Sequence, residues 1–157
     1  MISPKEFKQL WLEEWSPLHA YGEEAVRNLP FSDSTKEFLV ASGLPESCAP
    51  FLSFNRTLPN QSIKTIKEEY NLEHDDFINY YVIGDGDNVS ICIDTNREDQ
   101  IFEIDFHYVY DIDAREDTDY HEDYRPIIFM NTSIRHLAHC VLVYRHFIDE
   151  IKIGSKW

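Results

Sequence analysis

Histidines three apart on a helix face can share a metal ion, and His136 and His139 have that spacing in a segment with helical period. The nearest carboxylates downstream, Asp149 and Glu150, lie more than two helical turns away, so a surface or boundary pair of histidines is the preferred reading. Asp85-Gly86-Asp87-Asn88 begins like a calcium loop, yet its twelfth position is Asn96 where a bidentate Glu is needed, and a hairpin turn explains it better. His74-Asp75-Asp76, His107 and His121 offer the ingredients of a hydrolytic metal centre, but their spacing does not select one. Cys48 and Cys140 would be nucleophiles only beside a His and a positive environment, and both stand in apolar runs, so core packing is expected for both. No nucleophile elbow, phosphate-binding glycine loop or dinucleotide fingerprint occurs. The residues therefore assign no catalytic group, no metal site and no cofactor, and the chain reads as a non-enzymatic protein.

The elements that would position these residues follow from period and punctuation. Ser3-Pro4-Lys5-Glu6 is a capping box, followed by Phe7, Leu10, Trp11 and Trp15 at helical spacing, with Pro17 as the stop. A loop with a short helical turn then runs to Phe31. Ser34 to Glu37 reads as a second capping box, and Gly43 stands where a left-handed residue closes a helix. Ala49 to Phe54 suits an edge strand. Residues 79–83, 89–93 and 100–106 form an antiparallel meander with turns at 84–88 and 96–99, and the third strand alternates as if one face were wet. Asp111 to Asp123 lacks an apolar period and is expected to be a loop. Ile127 to Met130 resumes the β pattern. Asn131, Thr132 and Ser133 offer caps to a long final helix whose apolar stripe contains Ile134, Leu137, Ala138, Val141, Tyr144, Arg145 and Ile148, broadened by Val143 and Phe147. The expected fold is α+β, one domain over residues 1–157, with a central antiparallel sheet flanked by helices.

Charge is distributed unevenly. Of 29 acidic residues, 19 fall between Glu68 and Asp123 with only Arg97 and Arg115 against them, a formal −17, while the remainder sums to +2. Such acidity disfavours direct nucleic-acid binding, which needs a basic face. No apolar run is long enough for a membrane span, and the start Met1-Ile2-Ser3-Pro4-Lys5-Glu6 does not read as an export signal. Three cysteines, odd in number and far apart, read as reduced, buried thiols of a cytoplasmic protein. The four N-x-S/T sequons carry no meaning without export. The concentrated acidity is Asp111 to Asp123, where Tyr108, Tyr110, Tyr120 and Tyr124 are interleaved. Carboxylates that steer and rings that bury area are what a charged protein interface uses. A solvated acidic loop with its tyrosines packed on the parent domain is the bland alternative.

Four segments in order resemble the SUKH superfamily, especially its bacterial immunity-protein branches. They are Phe38-Leu39 through Gly43-Leu44-Pro45; Ala49-Pro50-Phe51-Leu52-Ser53-Phe54; Tyr81-Val82-Ile83-Gly84 with Ile91-Cys92-Ile93-Asp94; and Asn131-Thr132-Ser133-Ile134 with Leu137, Cys140, Tyr144-Arg145 and Phe147. The resemblance spans about Phe38 to Phe147. It departs at Thr95 to Asp99, where a Gly-containing turn is usual, and the acidic segment after Phe106 has no counterpart. The resemblance implies an α+β fold and a cytoplasmic immunity protein that binds and neutralises a cognate toxin, often a nuclease. Such a toxin carries a basic surface, and the expected binding residues are Tyr110, Asp111, Asp113, Glu116, Asp117, Asp119, Tyr120, Glu122 and Asp123. The alternative is an intracellular scaffold or regulator of the same fold. A monomer is expected.

Overall fold

The computed structural model describes residues 1–11, 15–48, 52–54, 62–114 and 124–154, the side chains of 112–114 and 153–154 excepted. Its first helix, α1 (Pro4–Leu10), starts as expected. Ser3 Oγ accepts from the Glu6 N–H at 3.2 Å, and Glu6 returns the bond to the Ser3 N–H. The helix is shorter than its apolar period suggested. The chain turns extended at Trp11, whose buried indole N–H donates to the Ser16 carbonyl at 2.8 Å. A buried indole needs such a partner, and Leu10, expected on the buried face, is exposed.

A two-residue strand β1 (Leu18–His19) and a short helix α2 (Glu23–Arg27) precede α3 (Asp33–Ala41). The cap of α3 is Ser32, two residues before the expected Ser34: Ser32 Oγ accepts from the Thr35 N–H at 3.3 Å. Long-range partners account for the shift. Asp99 holds the Ser32 N–H, and Glu37 pairs with Arg135 at 2.7 Å instead of closing a capping box. Gly43 ends the helix with φ +67°, and its N–H donates to the Phe38 carbonyl. The chain then enters β2 (Leu44–Pro45), which pairs with β1.

Among the described residues, the main sheet has six antiparallel strands in sequence order: β3 (Ser47–Cys48), β4 (Leu52–Ser53), β5 (Tyr80–Asp85), β6 (Val89–Asp94), β7 (Gln100–Asp105) and β8 (Ile127–Asn131). The meander is as the alternation predicted. The apolar piece expected as one edge strand instead contributes β4 and joins β3 in a small edge pair, residues 49–51 lying outside the described set. At the 96–99 turn, Glu98 and Asp99 both adopt positive φ and together do what a glycine turn would do.

Both faces of the sheet are covered. On one face, Ile83, Ile91, Ile93 and Ile101 meet Phe7, Phe38, Leu39 and the final helix α6 (Ile134–Gly154) through Leu137, Ala138 and Val141. On the other, Val82, Cys92, Phe102 and Ile104 meet Ile66 of α4 (Ile66–Tyr70), then Leu72 and Phe77, and Val109 of α5 (Phe106–Ala114). The side of the third strand expected to be wet is covered at Ile101 and stays half exposed at Glu103 and Asp105. Neither α4 nor α5 shows a sustained period in the sequence, because each presents a single turn or two to the sheet.

Two expectations for α6 change. Val143 and Phe147 are 54% and 55% exposed and lie outside the core stripe. Beyond Leu142 the inward position is taken by Arg145, whose guanidinium stacks on Trp15 at 5.4 Å and pairs with Asp149 at 3.5 Å. Cys140, expected in the core, is exposed, and its thiol donates to Asn131 Oδ1 at 3.5 Å, whereas Cys48 and Cys92 are buried.

Candidate partner-binding surface

The acidic segment is rooted where β7 ends and β8 begins. The Asp105 N–H donates to the Pro126 carbonyl at 2.9 Å, so the chain leaves the sheet and returns to it at one point. The expectation of a loop from Asp111 fails over its first residues. Strand β7 runs directly into α5, and Asp105 Oδ1 caps that helix by accepting from the His107 and Tyr108 N–H groups at 2.7 and 3.4 Å. Phe106, expected as the end of the strand, is its first helical residue. The signal was present as an Asp at a cap position before Phe106-His107-Tyr108-Val109, but strand alternation masked it.

Of the expected binding residues, Tyr110, Asp111 and Asp113 fall in α5. Tyr110 is 52% exposed and sets its ring edge-on to Tyr70 at 5.7 Å, while Asp111 is half buried. The Asp113 side chain and all of Glu116, Asp117, Asp119, Tyr120, Glu122 and Asp123 lie outside the described residues, as does His121. The interleaved tyrosines divide between the two readings. Tyr108 packs edge-on against Phe77 at 6.4 Å, on the parent domain. Tyr110 leaves half its surface outside.

A cleft at the root of the segment was not foreseen. Glu103 and Asp105, two apart on one side of β7, line it with Tyr124, Arg125, Pro126 and Ile128, around roughly 450 Å³ of space. Sequence alternation assigned these two carboxylates to a merely wet strand side. Register brings them beside the strand that re-enters after the acidic segment, since Glu103 pairs with Ile128 and Ile104 with Ile127.

Acidic residues stand on both faces of the sheet. The layer over the Phe102 face carries Glu68 and Glu69 on α4, then Glu73, Asp75 and Asp76, and Asp111 on α5. Lys67 in this layer is engaged by Asp75, and that hydrogen bond holds the Asp75 carboxyl below its ordinary range. The opposite layer mixes signs, with Lys5, Lys8, Lys36 and Arg135 set among Glu6, Asp33 and Glu37. The Phe102 face also holds Arg97, over the Phe102 ring, and Lys64, paired with Glu69, while Glu103 and Asp105 stand on the opposite face beside Ile91 and Ile101.

The other candidates for chemistry do not assemble. Among the described residues, no three His, Cys, Asp or Glu side chains gather where they could hold a metal ion. His136 Nδ1 is engaged by the Thr132 hydroxyl, within the first turn of α6. The Asp85 to Asn88 segment is the β5–β6 turn, with Asn88 at φ 60° and the Gly86 N–H bonded to the Val89 carbonyl at 3.0 Å. Burial raises the Cys48 thiol to about 11, far from a nucleophile's range. No helix among the described residues is long and apolar enough to cross a membrane.

No curated protein and no solved structure matches the chain. The family model of the SUKH-4 immunity proteins matches residues 3–152, nearly the full length and beyond the span of the four motif segments. With its α+β architecture, meander sheet and long closing helix, the chain belongs to the SUKH-4 immunity protein family.

Proposed function

We propose that this protein is a cytoplasmic immunity protein that binds and neutralises a cognate toxin, acting by contact and not by catalysis. Family membership supports the immunity role. The acidic segment, with 19 of 29 acidic residues between Glu68 and Asp123, is the observation that carries the mechanism. A partner with a basic surface is drawn to such a face, and a nuclease toxin has one because it must hold phosphates. The binding surface comprises Tyr110, Asp111, Asp113, Glu116, Asp117, Asp119, Tyr120, Glu122 and Asp123, with Glu103 and Asp105 at its root. The carboxylates speed encounter and set the register, and the tyrosine rings supply the desolvated contact. The same negative field keeps the protein itself off nucleic acid.

The test is stopped-flow association with the toxin encoded beside this gene, together with protection on co-expression. Association is expected to slow steeply with added salt, and to slow at low salt when Asp117→Lys and Asp119→Lys are combined. An unchanged rate and salt slope in that double variant would exclude the acidic-face mechanism. Failure to protect against the neighbouring toxin would exclude the immunity role.

A further inference from the structure

The sheet is open at β8. Among the described residues β8 pairs only with β7, and its other edge has no strand beside it. The bond from the Asp105 N–H to the Pro126 carbonyl sets the alternation of the ladder, so Pro126 and Ile128 turn their backbone groups toward β7. Ile127 and Phe129 therefore aim their N–H and C=O groups away from the sheet. Met130 is an extra residue in the register, which confines this free ladder to 127–129. Ile128 and Phe129 are 46% and 50% exposed, one on each face. Apart from the bulge, residues 127–131 carry neither the charge nor the proline that keeps an edge strand from pairing.

Main-chain donors and acceptors that face outward two residues apart recognise an extended backbone. The side chains beside them specify it further. Glu103 lies opposite Ile128, on the same face of the sheet, and lines the root cleft with Asp105. It is half exposed and has no ion-pair partner among the described residues. Asp105 is held by the α5 cap, and Arg125, which lines the same cleft, donates from its guanidinium to the Tyr124 carbonyl at 3.1 Å. We propose that β8 is a docking edge on which an extended segment of the toxin adds as an antiparallel strand, with a Lys or Arg opposite Ile128 and an apolar residue on either side of it. Residues opposite one another share a face, so the basic side chain lays its stem over Ile128 and carries its charge to Glu103, two strand spacings or roughly 10 Å from the added backbone. The flanking apolar residues pack beside Ile127 and Phe129 on the Phe102 face. A second copy of this chain fits the edge poorly. The two-fold pairing that matches both free ladders is centred on Ile128, sets Ile128 against Ile128 and leaves both Glu103 carboxylates unpaired. Each β8 also follows closely on Asp111 to Asp123, with seven acidic residues to one basic. Toxin binding as proposed for this protein is presupposed, and the added strand specifies which part of the toxin makes the contact.

Amide exchange followed by NMR on the full chain, free and with the purified toxin encoded beside this gene, tests the edge. In the free protein the Ile127 and Phe129 amides should exchange fast and the Ile128 amide slowly. Toxin should slow the first two by about tenfold or more, a readout that needs no variant to fold. Two substitutions separate backbone from side chain. Phe129→Pro removes an outward donor, which an edge strand tolerates, and Phe129→Thr removes the same ring but keeps the donor. Affinity by titration calorimetry is expected to fall about tenfold further for Phe129→Pro than for Phe129→Thr. Glu103→Gln should weaken binding about tenfold and flatten its salt dependence. Toxin that binds without slowing both amides overturns the proposal and leaves the immunity role standing. Equal affinity of the two Phe129 variants, or unchanged affinity in Glu103→Gln, overturns it in the same way. Toxin that does not bind removes the immunity role and the docking edge with it. Protection of the same amides that grows with concentration in the free protein assigns the edge to a second copy and also overturns the proposal.

Discussion

The backbone N–H of Ser32 donates to Oδ2 of Asp99 at 2.8 Å, joining residues 67 apart in sequence. One carboxylate thus fixes the start of α3 against the β6–β7 turn, and it does so while almost fully buried. Asp99→Ala removes the only acceptor identified for that N–H among the described residues, and places an Ala at φ 60°. A loss of about 1–3 kcal/mol is expected from urea unfolding, and a smaller one for Asp99→Asn, which keeps an acceptor oxygen and tolerates positive φ.

Gly43 is irreplaceable for two reasons that add. Its φ is +67°, and a Cβ built there would stand 1.8 Å from the His19 carbonyl oxygen. The obstacle is the β1 backbone, which cannot swing aside like a side chain. Gly43→Ala is expected to cost at least ~2 kcal/mol, lowering Tm by roughly 2–4 °C for each kcal/mol in a chain of this size. Calorimetry checks this.

The cysteines should separate by reactivity and by pH. A thiol reagent under native conditions should modify Cys140 rapidly and leave Cys48 and Cys92 untouched until unfolding. Burial raises the folded-state Cys48 thiol from 9.0 to about 11. The unfolded chain therefore releases this proton first as pH rises. The stability contribution is complete below about pH 9 and is lost on the way to about 11, by up to ~2 kcal/mol. Cys48→Ala should flatten that part of the stability profile, read from chemical unfolding at successive pH values.

Asp105 has two duties that substitution can separate. As the cap of α5 it accepts two backbone N–H bonds, and Asp105→Ala should destabilise the protein by about 1 kcal/mol. Exchange should accelerate at the His107 to Tyr110 amides. Asp105→Asn retains the cap. Any slower toxin association in that variant therefore reports the lost charge and not a frayed helix.

Local signals were legible wherever the physics is local. The Ser3 capping box, the left-handed Gly43, the hairpin after Asp85 and the strands of the meander all follow from residues within a few positions of one another. Signals that compete over a few residues were misjudged. Ser34 offered as good a cap as Ser32, and only Asp99 and Arg135, both distant in sequence, distinguish them. Phe106 continued a strand pattern, but the Asp105 cap and the burial of Val109 under the sheet made it the start of a helix.

By itself the sequence determined the fold class, the order of the main elements, the family resemblance and the concentration of charge, because periodicity, capping and composition are properties of neighbouring residues. Tertiary structure alone decided which sides those features face. It placed Val143 and Phe147 outside the core, since Arg145 stacked on Trp15 occupies the inward position past Leu142. It brought Glu103 and Asp105 to the root of the acidic segment, since strand register sets their neighbours. Exposure and juxtaposition depend on which surfaces meet across the sheet, and a helical or strand period is silent on what lies opposite.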